Sequence, residues 1–173
     1  LHNPLICEDT EATANALESL GISIQKEKAH WQVQGGPWQK PLHPLDCNES
    51  GTTWRFLMAI TAALKIPCTI TGRPSLLRRP KDYPFTSQLL SGQLLAAPLA
   101  KRETWIELPA PPVSRPYLEL TLAVQKAFGI EVDVFENFSK FRIRPQPYRP
   151  AVFTIEGDWS SAAFLLAAGV LTK

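Results

Sequence analysis

The chain is poor in the residues that several large functional classes require. Its three cysteines, Cys7, Cys47 and Cys68, are odd in number and nowhere spaced as CxxC. That argues against a disulfide framework and for reduced thiols in a cytosolic-type compartment. The three histidines, His2, His30 and His43, form neither an HExxH nor any other paired spacing, so no metal centre is expected. Eighteen basic residues against sixteen acidic ones leave a net charge of +2, too little for bulk nucleic-acid binding. No apolar run approaches the roughly 20 residues of a membrane-spanning helix, and no signal-peptide pattern opens the sequence.

What remains is ordinary in composition. With 173 residues, 45% apolar and 20% charged, the chain has the balance of a globular protein with one substantial core or two small ones. It opens on "LHNPLICEDT", without Met, and closes on the apolar "FLLAAGVLTK". Both ends read as cuts inside structured segments, so a piece of a longer protein is expected.

Two segments share a pattern, "EATANALESLGISIQ" and "LELTLAVQKAFGIEVDV". In the first, Ala12, Ala16, Leu17 and Leu20 fall on one helical face; in the second, Leu120, Ala123, Val124, Ala127 and Phe128 do the same. Each stripe stops at a glycine, Gly21 or Gly129, where a helix C-terminus calls for left-handed backbone. The two glycines are 108 residues apart, and the same shift carries Thr52 onto Ser160. Around those positions, "ESGTTWRFLMAITAAL" and "GDWSSAAFLLAAGVL" each set a glycine and hydroxyl turn before an apolar helix. A third such start, "FTSQLLSGQLLAAPLA", begins near Thr86. The spacing predicts internal repeats near 9–73 and 86–173.

Strand candidates lie between the helices: "SIQKEKAHWQVQG", "IPCTITG", "TWIELPA", "IEVDVFENF", "KFRIRP" and "AVFTIEG". Val33, Ile70, Ile106, Val132 and Ile143 sit there among β-branched and aromatic neighbours. Helix, strand, strand, helix, with hairpin-like pairs, predicts an α/β chain (α+β by strict usage) with a mixed sheet. The Pro-rich "PAPPVSRP" and "RPQPYRP" read as rigid connectors rather than as ligands for SH3-type domains.

Ser and Thr at a helix start accept hydrogen bonds from the first unpaired amides, and the remaining amides attract anions. Near the polar starts stand Arg55, Arg73, Arg78 and Arg79. Another helix start, Ser114-Arg115-Pro116-Tyr117, carries proline early, where a helix tolerates it. Arginine forks grip carboxylate and phosphate in two places at once. These arginines read equally as a solvated face; combined with the hydroxyls they favour a multiply anionic small ligand.

The same residues carry a family resemblance. "LDCNESGTTWRFLMAI" resembles the pattern DCGNSGTTxR, and "TGRPSLLRRP" resembles the TGxPxxxxRP that follows it. "FTSQLLSGQLLAAPLA", "VSRPYLELTLAVQKAFGI" and "IEGDWSSAAFLLAAG" resemble three further motifs in the same order. Together they are similar to 3-phosphoshikimate 1-carboxyvinyltransferase. The resemblance implies βαβαββ repeats forming one lobe of an inverse α/β barrel over 1–173, with the second lobe absent. It implies transfer of the enolpyruvyl group of phosphoenolpyruvate to the 5-hydroxyl of shikimate 3-phosphate, in aromatic amino acid biosynthesis, with no cofactor. It also implies a monomeric cytoplasmic protein, or one of the plastid stroma, that binds neither nucleic acid nor membrane. By motif match, Gly51, Arg79 and Gln88 face phosphoenolpyruvate; Thr86, Ser87, Gln88, Ser114 and Tyr117 face shikimate 3-phosphate; Arg55 and Thr52 support them. The general acid and base are expected in the missing lobe and N-terminus, so the chain alone is expected to be inactive.

Several positions depart from the pattern. Asn48 and Glu49 stand where Gly-Asn is usual, Thr86 replaces serine, and Trp159 replaces a small residue. Between Arg79 and Thr86 lie six residues where the family carries a helix and strands. Three competing readings follow: a non-catalytic relative that has lost substrate through Asn48-Glu49, a relative of UDP-N-acetylglucosamine enolpyruvyl transferase, and a nucleic-acid module using Arg73 to Lys81 with Tyr83 and Tyr148 as stacking groups.

Overall fold

The computed structural model describes residues 1–79, 86–112, 114–157 and 159–171. In the last helix it describes the side chains of 162–163 and 166–170. Helix α1 (Glu8–Ser19) opens with Glu8, Asp9 and Glu11 in its first turn, a charge placement that complements the helix dipole. It buries Ala12, Ala14 and Ala16, and Leu20 beyond its end is fully buried. Gly21 then adopts φ +92°, and Ile22 N donates back to Leu17 O at 3.1 Å. Gly129 does the same after α5 (Arg115–Ala127), with φ +80° and Ile130 N donating to Gln125 O at 2.9 Å. Both ends are the glycine-terminated helices that the stripes predicted.

The strands form three small sheets. β1 (Ser23–Lys26) and β2 (Trp31–Gln34) make an antiparallel hairpin. β3 (Leu45–Asp46) and β4 (Ile70–Thr71) lie parallel on either side of α2 (Gly51–Ala63) in sequence. β5 (Thr104–Glu107), β6 (Val132–Phe135) and β7 (Lys140–Ile143) form an antiparallel sheet in the order β5-β7-β6. The expected mixing of parallel and antiparallel pairs is present, but it is divided among separate sheets. All five marker residues lie in strands; "AVFTIEG" contributes only an isolated bridge from Thr154 to His2. β3 was not foreseen, because two residues are too short a run to show alternation.

Three helices run side by side. α4 (Ser87–Ala96) crosses α2 closely: a Cβ on Gly92 would sit 3.0 Å from Arg55 O and 3.4 Å from Phe56 Cα. A side chain there would press the two backbones a few tenths of an ångström apart. Gln88 meets Thr52 and Gly92 meets Arg55, so the two helices run parallel with their starts together. α5 lies along α4 in the same sense, with Ser91 Oγ 2.8 Å from Thr121 Oγ1 and Gln125 Nε2 donating to Leu94 O at 2.8 Å. The reason for that last bond lies in the sequence. Pro98, in the 3-10 turn Ala97–Leu99 that ends α4, has no N–H to give to Leu94.

One core packs Leu20, Leu45, Cys47, Trp54, Leu57 and Leu76 between α1, α2, β3 and α3 (Pro74–Leu77). A second packs Leu90, Leu94, Leu118, Phe141 and Ile143 between α4, α5 and the three-stranded sheet. Each fully buried Leu or Ile contributes about 1.5–3 kcal/mol of transfer free energy. The face expected for α5 is corrected here. Leu118 and Gln125 are fully buried, whereas Leu120 is 61% exposed and Ala123 and Ala127 face solvent. The true face runs through Leu118, Thr121, Leu122 and Gln125, and a buried glutamine serving α4 hides it from a purely apolar count. α6 (Trp159–Leu171) leaves Leu166 and Val170 at 60% and 69% exposed. Among the described residues, no helix is long and apolar enough to cross a membrane.

Candidate anion site at the starts of two parallel helices

The start of α2 is built by hydroxyls. Ser50 caps it: its Oγ accepts from Thr53 N at 3.2 Å and from Thr53 Oγ1 at 2.8 Å. Thr53 Oγ1 also lies 2.6 Å from Thr13 Oγ1, which ties the turn to α1. Both Ser50 and Thr53 are 1% exposed. With the Thr53 amide taken, the amides of Gly51 and Thr52 remain at the mouth of the helix. The start of α4 repeats the device, Thr86 Oγ1 accepting from Leu89 N at 3.2 Å. The departure from serine at Thr86 keeps the cap, and the half-buried Ser87 follows it.

Between the two starts lies a polar network. Arg55 Nη1 donates to Gly51 O at 3.0 Å and to Gln88 Oε1 at 3.0 Å. Gln88 Nε2 donates to Thr52 Oγ1 at 2.9 Å. Gly51 is the point of convergence. A Cβ there would lie 2.7 Å from Arg55 Nη1, 3.1 Å from Arg79 Nη1 and 3.7 Å from Gln88 Oε1. Two guanidinium groups thus meet over a glycine. Among the described residues, the arginine ion pairs belong to Arg73, Arg115, Arg142 and Arg144. Neither Arg55 nor Arg79 is neutralised by those pairs. Like charges held together and served by nearby amides favour an anion between them.

The two unusual turn residues now have a physical account. Asn48 adopts φ +51°, left-handed backbone that asparagine tolerates where glycine would be usual. Its amide donates to Asp46 Oδ1 at 2.8 Å and its side chain to Glu8 Oε2 at 2.8 Å. Glu49 turns toward α3 and accepts from Ser75 Oγ at 2.5 Å, which engages its carboxylate outside the arginine network. Ser75 and Glu8 were missed as supports; the only sequence signal was their polar character beside "TGRP" and "CEDT".

Ser114 and Tyr117 are placed differently from the rest. Ser114 precedes α5 without making a side-chain cap, and Tyr117 is 64% exposed. Because α5 runs parallel to α4, both stand at the same end of the helix layer as Ser87 but outside the Arg55–Gln88–Thr52 network. Lys81 and Tyr83 lie outside the described residues, as does the side chain of Trp159. Tyr148 is no stacking platform: its hydroxyl donates to Leu95 O at 2.8 Å and accepts from Gln125 at 3.2 Å. Burial pushes the phenol up, and the Gln125 bond opposes this only in part.

Cys47 packs under the α2 turn, fully buried. Burial, with the charge of Asp46 beside it, pushes the thiol up to about 12. A reactive thiolate is therefore not available at this turn. Among the described residues, no group of His, Cys, Asp and Glu is arranged to hold a metal ion.

The geometry defines a mixed α/β lobe with two parallel helix starts beside paired arginines, and the comparisons with known proteins specify it further. The family model of EPSP synthase (3-phosphoshikimate 1-carboxyvinyltransferase) matches residues 1–83 and 81–173. The chain belongs to that family. It is 34% identical over 206 residues to a curated 3-phosphoshikimate 1-carboxyvinyltransferase of Dehalococcoides mccartyi, covering 98% of this chain and 49% of the relative. It is 32% identical over 214 residues to one of Methanococcoides burtonii, covering 99% and 50%. The chain spans about half the length of the curated relatives it matches. The fold is that of EPSP synthase from Acinetobacter baumannii, with a TM-score of 0.78 at 24% identity over 94% of this chain and 45% of that one.

Proposed function

We propose that the chain is one lobe of an enolpyruvyl transferase and that the joined starts of α2 and α4 are its half of the substrate site. The whole enzyme transfers the enolpyruvyl group of phosphoenolpyruvate to the 5-hydroxyl of shikimate 3-phosphate and releases phosphate. One observation carries this reading: Arg55 and Arg79 meet over Gly51 beside Gln88 without acidic partners among the described residues. Arg79 and the Gly51 turn hold the anionic groups of phosphoenolpyruvate, and Gln88 bridges toward shikimate 3-phosphate at Thr86 and Ser87. Arg55 and Thr52 fix the amide of Gln88, its oxygen toward the guanidinium and its nitrogen toward the hydroxyl. Ser114 and Tyr117 extend the shikimate 3-phosphate contact from the next helix.

These residues bind and orient. Preorganised cationic donors stabilise charge as it develops, while proton transfer to the methylene and from the attacking hydroxyl falls to the second lobe and the N-terminal segment. The chain alone is inactive, since orientation and charge stabilisation need both lobes. It acts as a monomer in the cytoplasm with no cofactor. Its repeats near 9–73 and 86–173 account for the recurrence of α1, β1, β2 and α2 as α5, β6, β7 and α6 at a shift of about 108 residues. The non-catalytic reading loses its motive, because Asn48 fits the left-handed turn and Glu49 is engaged by Ser75. The UDP-N-acetylglucosamine alternative is not favoured, since the family match over both halves of the chain is to EPSP synthase.

The test is an NMR titration of the chain with shikimate 3-phosphate, with shikimate as control. Amide shifts at Thr52, Ser87 and Gln88, absent with shikimate and weakened by Gln88→Ala, are the expected result. A flat titration at millimolar ligand, or an equal response to shikimate, overturns the reading.

A further inference from the structure

The turn before α2 and the turn that delivers Arg79 are tied together twice, and the second tie comes from a residue that departs from the motif pattern. The first tie is backbone: Arg73 N donates to Asn48 O at 2.8 Å. Gly72 allows that approach, since a Cβ there would stand 2.7 Å from Asn48 O. The second is side chain to side chain, Ser75 Oγ donating to Glu49 Oε1 at 2.5 Å. A carboxylate acceptor makes this a hydrogen bond of the short, charge-assisted kind.

α3 is a single turn of four residues, too short to hold its shape or place without outside contacts. Its start is fixed to Asn48 through Arg73 N, and Leu76, fully buried, plants it in the first core. Two anchors leave a rigid turn free to rotate about the line that joins them. Ser75 supplies the third anchor and stops that rotation. Arg79 stands four residues beyond Ser75, about one helical turn, and its amide donates back to Leu76 O at 3.0 Å. Residues at that spacing share one side of a turn. The two segments therefore meet in register. Ser75 reaches Glu49, and Arg79 Nη1 comes within 3.1 Å of a Cβ placed on Gly51, two residues further along.

Arg79 is exposed and its side chain is long. Ordering such a group at the moment of binding costs affinity, so a backbone already held in place strengthens its grip on an anion.

We propose that Glu49 and Ser75 are positioning residues for Arg79: their bond fixes the rotation of α3 and so sets the guanidinium over Gly51. The consequence for binding rests on the reading of Arg79 as a phosphoenolpyruvate contact. What position 49 must supply is an acceptor of the right length rather than a charge, so glutamine can stand in for glutamate. Both residues are exposed, and truncating either leaves the core intact.

The test has two arms. Without ligand, amide hydrogen exchange is followed in Glu49→Ala, Ser75→Ala and Glu49→Gln. Exchange at Arg79 speeds by about fivefold in both alanine variants and returns to the unmodified rate in Glu49→Gln. The Thr53 and Leu89 amides, which serve the caps of α2 and α4, stay unchanged. With ligand, calorimetry gives phosphoenolpyruvate binding about fivefold weaker for either alanine variant, and no weaker for the two combined. Shikimate 3-phosphate affinity does not move, which a general loss of stability would not allow. In an Arg79→Ala background, Glu49→Ala has no further effect. Unchanged exchange at Arg79 in Glu49→Ala overturns the proposal. So does a failure of glutamine to restore it, an equal loss of both ligands, or a full additional loss on top of Arg79→Ala. Should Arg79→Ala by itself leave phosphoenolpyruvate affinity intact, the phosphoenolpyruvate reading falls, and the exchange arm alone decides the positioning role.

Discussion

The joined starts of α2 and α4 and the start of α5 stand at the same end of one helix layer, yet they are built differently. At the first, four hydroxyls have partners: Ser50 and Thr86 cap their helices, Thr52 accepts from Gln88, and Thr53 reaches Thr13. At the second, Ser114 caps nothing and Tyr117 stands 64% exposed. The difference teaches that a polar helix start is a structural element when its side chains close on their own chain. It becomes an open surface when they do not. The α2–α4 start is both: closed by its caps, and open where Arg55 and Arg79 flank Gly51.

The comparison breaks most completely at Gly92. Gly92→Leu forces the backbones of α2 and α4 apart and should cost about 1–3 kcal/mol in urea unfolding, whereas Tyr117→Leu on the open start stays within about 0.5 kcal/mol. pH gives an effect of at least comparable size, through Cys47 under the α2 turn. Its thiol is raised in the folded chain from 9.0 to about 12. The neutral form is therefore favoured by folding; that stability is fully present below pH 9 and is lost as pH rises toward 12. Each unit in that window removes about 1.4 kcal/mol, and Cys47→Ala should flatten the loss seen in alkaline denaturation curves. Capping sharpens the contrast further. Ser50→Ala should cost about 1 kcal/mol, while Ser114→Ala leaves the melting curve within about 0.5 kcal/mol. Smallest is Glu49→Gln. With the carboxylate held by Ser75 outside the arginine network, phosphoenolpyruvate affinity measured by calorimetry should change by less than about twofold.

Much of this was legible in the sequence for identifiable reasons. Gly21 and Gly129 marked helix ends because only a left-handed turn asks for glycine there, and Ser50 and Thr86 marked helix starts because hydroxyls cap. Gly51, Arg79 and Gln88 were named from their motifs, and the fold brings them together. The inward face of α5 was not legible, since Gln125 is buried to serve a carbonyl that Pro98 cannot serve, and a polar residue breaks an apolar stripe. Nor was the role of Arg55 as the clamp on Gln88. The two are 33 residues apart, and only the close crossing at Gly92 joins them. The Glu49–Ser75 bond likewise depends on how α3 folds back over the turn. Such contacts are set by packing between elements, about which residue order says little.

Whether the α2–α4 start holds the anion is decided most sharply by the affinity of phosphoenolpyruvate for the chain carrying Arg79→Ala, set against Tyr117→Ala under identical salt. Removing a charge-assisted contact worth roughly 1.5–3 kcal/mol predicts a loss of about tenfold or more for Arg79→Ala. Tyr117→Ala should remain within about twofold of the unmodified chain. Equal losses, or a greater loss at Tyr117, would move the anion site to the start of α5.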